Sequence, residues 1–276
     1  MSSRHHWDPH VQRWATALLL AAPVVIALTI GPYWSWTALV AVLAGIGLWE
    51  FQSMVFQRGL PFWWQAFYVA TGLLFPLGAS GLGPIGLHGA LFLVLFAAFS
   101  TTLFAAPTDS GGISRAARFV LGWLYVPYLL SYVLLIQPLS SGNRWVFFAL
   151  LITIANDACA LYSGKYFGSH KLYPQVSPNK TIEGSLGGVM GGIVVGTLFG
   201  SLFLGAVPIK WLILLSLILV IIGQIGDLIE SLTKRLCGVK DAGNILPGHG
   251  GILDRLDSLL FVFPVVWFFL HWIDYP

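Results

Sequence analysis

Charge is what this chain has least of. Asp, Glu, Lys and Arg make up 9% of its 276 residues, where a soluble domain has about a quarter. A chain so poor in ionisable groups cannot clothe itself in polar side chains, which excludes water as its main solvent. Cysteine is scarce as well. Cys159 and Cys237 are the only two, and they make neither a disulfide framework nor a metal-type pair, so both read as packing or surface residues. The chain lacks a basic run: its positive residues are scattered through loops that also hold acids, which argues against nucleic acid as a partner. Internal repeats and low-complexity linkers are lacking too, and residues 1–276 read as a single membrane domain.

What is present is apolar. Hydrophobic residues make up 57% of the chain, and about 20 mostly apolar residues suffice to cross a hydrocarbon core of about 30 Å. Nine such stretches can be placed, at 14–30, 35–54, 61–79, 87–106, 116–135, 145–164, 184–204, 211–231 and 258–273. The expected fold is therefore all-α, a polytopic integral membrane protein of about nine transmembrane helices. The first stretch follows Arg4 and Arg13 as a signal sequence would, but its length and the eight spans after it favour a retained anchor. The twelve tryptophans and the tyrosines read mostly as interface anchors.

Numbering the spans fixes which loops share a side. Arg4, Arg13, Arg58, Arg115, Arg118, Lys165, Lys171, Lys180, Lys234, Arg235, Lys240 and Arg255 fall on one side, and only Arg144 and Lys210 on the other. Lys and Arg accumulate on the cytoplasmic side. The N-terminus is thus expected in the cytoplasm and the C-terminus, with Asp274, outside. Compact size and the lack of a targeting tail point to a bacterial inner (plasma) membrane.

The few charges are unevenly distributed. More than half lie in 157–183 and 227–257, and several sit inside or at the ends of expected spans, among them Asp157, Asp227 and Glu230. A charge in hydrocarbon costs at least about 3 kcal/mol on insertion scales, so such a residue reads as part of a site facing protein or water. Residues 1–140 read as scaffold and 141–276 as the catalytic part. Glu50, isolated in the second span, reads as a local salt bridge that helps helices pack. Gly188, Gly192, Gly196 and Gly200 recur every fourth residue, a spacing that lets helix backbones approach closely; tight packing near the site is the first use, a homodimer contact the second. The N-terminal His5, His6 and His10 have no partner cluster and do not read as a metal site.

The longest polar run is SLTKRLCGVKDAGNILPGHGGILDRLD at 231–257, preceded by GDLIE. Its Ser231, Lys234, Arg235, Lys240, Asp241, Gly243, Pro247, His249, Gly250, Gly251, Asp254, Arg255 and Asp257 resemble the signature of the phosphatidate cytidylyltransferases, the CDP-diacylglycerol synthases. NDACALYSGKYFG followed by SPNKTIEGSLGG is similar to a second block of that family, matched by Asp157, Gly164, Gly168, Ser177, Pro178, Lys180, Thr181, Glu183 and Gly184. Thr233, Leu161 and Ile182 depart from the apolar, Tyr and Trp residues common at those positions. The resemblance covers about the last 120 residues in detail and the nine-span layout only loosely.

The chemistry of such a reaction suits these residues. Phosphatidate and CTP are both anions, and joining them is a matter of positioning and electrostatic stabilisation. Asp227 and Asp254 are hard oxygen ligands at the ends of two spans, and magnesium suits them best. By resemblance they are the metal-binding aspartates, holding Mg2+ alone or with a second cation. Lys180, Lys234, Arg235, Lys240 and Arg255 are candidates to hold phosphates. Asp241, His249 and Asp257 complete the expected catalytic set, with His249 on a phosphate, orienting an aspartate, or serving only the turn. Asp157, Ser177, Lys180, Thr181, Glu183, Glu230, Ser231, Gly250 and Gly251 are the expected substrate-binding residues, the glycines by letting backbone approach phosphate. The resemblance implies cytidylyl transfer from CTP to phosphatidate, giving CDP-diacylglycerol and pyrophosphate. A related lipid cytidylyltransferase, a polyprenol kinase and an ion-coupled transporter are the competing readings.

Overall fold

The computed structural model describes residues 22–27, 29, 31–56, 59–104, 111–205, 207–246 and 250–275. Nine helices and one short hairpin are distinguished there: α1 (Tyr33–Val55), α2 (Phe62–Gly72), α3 (Leu74–Phe104), α4 (Gly112–Trp123), α5 (Tyr132–Ile136), α6 (Gly142–Phe167), β1 (Lys171–Tyr173), β2 (Ser177–Thr181), α7 (Ile182–Phe203), α8 (Ile209–Leu236) and α9 (Leu253–Trp272). Pro32, Pro61 and Pro208 immediately precede α1, α2 and α8, where a missing N–H costs nothing.

Among the described residues six helical stretches are long and apolar enough to cross a membrane. The chain is thus a helical membrane protein, but the expected count of nine spans is not reproduced. The first expected span lies mostly outside the described residues. The third and fourth fall in one stretch, Phe62–Leu103, which is not a straight rod. Gly83 has φ 58° and ψ −140° and is followed by Pro84, and the backbones of Gly78 and Gly86 touch across the bend. Gly83 is needed for its positive φ, which lies outside the regions open to residues with a Cβ. A π-helical turn at Leu124–Tyr128 accommodates Pro127 between α4 and α5.

The all-α expectation needs one correction. Residues 171–181 fold into a two-stranded antiparallel hairpin, with Lys171 opposite Thr181 and Tyr173 opposite Ser177. This polar segment carries no apolar helical stripe, and extended pairing satisfies its backbone instead.

Two packing regimes build the bundle. In the first half the core is aromatic: Tyr68 stacks on Phe119 with centroids 4.8 Å apart, and Trp123 Nε1 donates to the carbonyl of Tyr68 at 2.9 Å. In the second half it is thin. Gly184, Gly188, Gly192, Gly196 and Gly200 are all buried. A Cβ at these positions would run into Ala160 O, Asn156, Val220, Ser216 and Leu212 respectively, side chains and backbone of α6 and α8. Glycine weakens a helix by about 1 kcal/mol relative to alanine, and close backbone contact is what offsets it here. The stripe is therefore used inside the chain, the first of the two uses its spacing suggests. Both cysteines are half-buried.

Candidate active site

Helical spacing gathers the acids of α8. Asp227, Glu230, Ser231 and Lys234 lie three or four residues apart and share a face. Gly226, next to Asp227, lets α8 press on α9, since a Cβ there would sit 2.9 Å from the carbonyl oxygen of Asp257. Two ion-pair groups result.

In the first, Lys180 from β2 binds Asp227 Oδ2, with the two side chains 30% and 29% exposed. Ser231 Oγ reaches Asp227 Oδ1 at 3.4 Å. In the second, Lys234 Nζ donates to Glu230 Oε2 and to Asp254 Oδ1, at 2.6 Å each. Those side chains are 11%, 1% and 9% exposed. Asp254 Oδ2 accepts from the amides of Ala242 at 3.0 Å and Gly251 at 2.8 Å. Gly250, at φ 80°, would place a Cβ against that same oxygen, so a glycine is required there.

Asp257 lies within electrostatic reach of Asp227, Glu230 and Lys234, and its Oδ1 accepts from the Ser258 amide at 2.6 Å. Among the described residues no N–H group donates to the buried Glu230 Oε1, which lies beside Asp257. Four carboxylates, Asp227, Glu230, Asp254 and Asp257, thus face two lysines, Lys180 and Lys234. Oxygen donors in negative excess, one of them buried with no N–H donor on it, fit a hard divalent cation. Among the described residues no three His, Cys, Asp or Glu converge as a ready ligand shell. Magnesium tolerates this, because it typically takes one or two carboxylates and fills the rest with water and substrate phosphates.

A cavity of about 450 Å³ opens beside the first group, between α6, β2, α7 and α8, with Asn156, Asp157, Lys180, Ser185, Gln224 and Asp227 in its wall. Its polar side is a chain of hydrogen bonds. Gln224 Nε2 donates to Asn156 Oδ1 at 2.7 Å and to the Ser185 carbonyl at 3.0 Å, Ser185 Oγ donates to Gln224 Oε1, and Asn156 Nδ2 donates to Asp157 Oδ1 at 3.0 Å. Asn156, Ser185 and Gln224 do not stand out in the sequence. As uncharged residues they are not conspicuous in an apolar span; the usable signal is that an amide in such a span needs a partner.

Several expected site residues also make contacts that hold the architecture. Thr181 caps α7, its Oγ1 accepting from the Gly184 amide at 3.1 Å, although it also lines the cavity. The Glu183 carboxylate accepts from the amides of Ser169 and His170, at 3.1 and 3.2 Å, and pairs with His170 Nδ1 at 2.7 Å. It closes the base of the hairpin rather than facing the cavity. Arg235 Nε donates to the Val176 carbonyl at 3.3 Å and its guanidinium to the Val239 carbonyl at 3.4 Å, fastening the hairpin to α8. Ser177 sits on β2 outside the cavity wall. Lys240, Asp241 and Arg255 are exposed, and Arg255 is within electrostatic reach of Asp157. His249 and Pro247 lie outside the described residues.

Glu50 is also corrected. It is 2% exposed and among the described residues pairs with no Lys or Arg; its Oε1 and Oε2 accept from the backbone amides of Ile252 at 3.0 Å and Leu253 at 2.8 Å. The unsatisfied amides at the start of α9 serve the carboxylate as well as a cation would.

A family model described as the cytidylyltransferase family matches residues 11–273. The chain belongs to that family. This cytidylyltransferase is 34% identical over 261 residues to the phosphatidate cytidylyltransferase of Bacillus subtilis (strain 168), a match spanning 91% of this chain and 94% of that protein. It is 46% identical over 127 residues to the phosphatidate cytidylyltransferase of Staphylococcus epidermidis, covering 46% of this chain and 49% of the other. With the enzyme of that name from Staphylococcus saprophyticus the identity is 44% over 137 residues, covering 50% and 53%. The cytidylyltransferase is accordingly a nucleotidyltransferase built as a helical membrane bundle.

Proposed function

We propose that this cytidylyltransferase joins CTP to phosphatidate, giving CDP-diacylglycerol and pyrophosphate, at the end of the bundle where α6, α7, α8 and α9 bring their charges together. The observation that carries the reading is the partly exposed Lys180–Asp227 pair on the wall of the cavity. An ion pair open to a cavity can exchange partners: the ammonium can pass to a phosphate and the carboxylate to a cation.

A phosphate oxygen of the lipid attacks the α-phosphorus of CTP in line. The bond between that phosphorus and the bridging oxygen breaks, and pyrophosphate departs with the electron pair. No strong general base is needed, because a phosphate monoester already carries more than one negative charge near neutrality. Lys180 and the exposed Arg255 and Lys240 meet the phosphates, and arginine suits two-pronged contact. Lys234 is too enclosed for that role and instead holds Asp254 and Glu230 in place. Magnesium bound by Asp227 and Asp254, with substrate phosphates completing its shell, would supply charge stabilisation at the transferred phosphoryl group. The amides of Asn156 and Gln224 offer hydrogen-bonding groups for the nucleotide. Phosphatidate enters sideways from the bilayer and CTP from the cytoplasm, in keeping with the excess of Lys and Arg at that end, in a bacterial inner membrane with the N-terminus cytoplasmic.

Asp227→Ala is expected to lower turnover by about a thousandfold, the scale of one lost transition-state electrostatic contact, while the protein still inserts and purifies. A variant retaining more than a tenth of the wild-type rate, measured as CDP-diacylglycerol formed, would refute the assignment of Asp227.

A further inference from the structure

A carboxylate from the scaffold half reaches into the catalytic half. Glu50, on α1, lies in the interior of the bundle, and its two oxygens take the amides of Ile252 and Leu253, the residues directly before Asp254. Asp254 in turn takes the amides of Ala242 and Gly251. The two carboxylates therefore grip neighbouring backbone, and the amides of Ala242, Gly251, Ile252 and Leu253 are fixed by them. The glycines on the Glu50 side fit this arrangement: a Cβ at Gly243 or at Gly251 would overlap the Glu50 carboxylate. That carboxylate also stands at the positive end of α9, where negative charge is favoured.

We infer that Glu50 is a positioning residue: through the Ile252 and Leu253 amides it sets the pose of the turn that carries Asp254, so that α1 helps to aim a carboxylate of the active site. The proposal rests on the cytidylyl-transfer reading for its consequence in catalysis but not for its consequence in structure. Glu50 lies outside the wall of the cavity that borders Asp227. Its effect passes through Asp254, whose displacement of even about 1 Å can cost about a hundredfold in rate.

The test uses the full chain in lipid nanodiscs, as wild type, Glu50→Gln, Glu50→Asp, Gly243→Ala and the double variant Glu50→Gln/Gly243→Ala. Glu50→Gln keeps the shape and one acceptor oxygen but loses the charge. Its kcat is expected to fall by about 10- to 100-fold with the KM for CTP and for phosphatidate within about twofold of wild type. Glu50→Asp, which keeps the charge, should recover part of the loss. The double variant should be no worse than the more impaired single one, since both act on the same grip. Hydrogen exchange gives a readout free of activity: the Ile252 and Leu253 amides should exchange about tenfold faster in Glu50→Gln than in wild type. Unchanged exchange at those amides, or a kcat within twofold of wild type, would overturn the proposal. Altered exchange with no cytidylyl transfer by the wild type itself would support the grip and overturn the functional reading.

Discussion

The two lysine–carboxylate groups are only a turn or two of α8 apart, yet they sit in different environments. Lys180 and Asp227 remain nearly one-third exposed and border a cavity, whereas Lys234, Glu230 and Asp254 are almost wholly enclosed. Exposure decides what an ion pair is for. A solvated pair is worth at most about 1 kcal/mol and can be broken by an arriving substrate. A buried one cannot be broken cheaply, because removing one partner leaves a desolvated charge behind. On the proposed function the open pair is where chemistry enters, and the closed group keeps the carboxylates aligned.

Replacing the lysines one at a time is the sharpest way to break this comparison. Lys234→Met should destabilise the protein by about 3–5 kcal/mol, seen as a lower thermal midpoint in detergent and a poor yield. Lys180→Met should change stability by less than about 1 kcal/mol while lowering the rate of CDP-diacylglycerol formation by about a hundredfold. Equal stability losses in the two variants would remove the distinction. An intermediate effect is expected away from both groups: Gly192→Leu drives a side chain into Val220 and should cost about 1–3 kcal/mol by overpacking, with the KM for CTP little altered. The smallest effect belongs to Arg235→Gln. Its bonds to the Val176 and Val239 carbonyls are long, the first part-buried and the second exposed, so a loss of about 0.5 kcal/mol or less is expected, with activity within a few-fold of wild type. A loss of activity as deep as that of Lys180→Met would return Arg235 to the phosphate-binding set.

Much of this is legible in the sequence. The apolar runs announce a helical membrane protein, and acids recurring every three or four residues on α8 announce a shared face, because helical periodicity is local. The polar run that holds Lys234, Asp254 and Asp257 stands out by composition alone, between two apolar spans. What is not legible depends on contacts between distant segments. Nothing near Glu50 says that its partners are amides two hundred residues away, and nothing in GQIGD says that Gln224 meets Asn156. The hairpin at 171–181 escapes notice because a polar segment between two spans gives no periodicity to read. Thr181 and Glu183 fall in the expected neighbourhood but serve there as a helix cap and a loop closure. A motif records only that residue types occur together, and the same pattern suits capping and closure as well as binding.

The central claim is that the α-phosphoryl group of CTP passes to a lipid phosphate at the charged end of the bundle. The most direct measurement uses the purified protein in nanodiscs containing phosphatidate, with CTP labelled at the α-phosphorus and a divalent cation. The label is expected in the lipid, with one pyrophosphate released per liponucleotide formed and no product once the cation is chelated. Label remaining in free CDP while the terminal phosphate of CTP moves to lipid, or no transfer to phosphatidate at all, would contradict it.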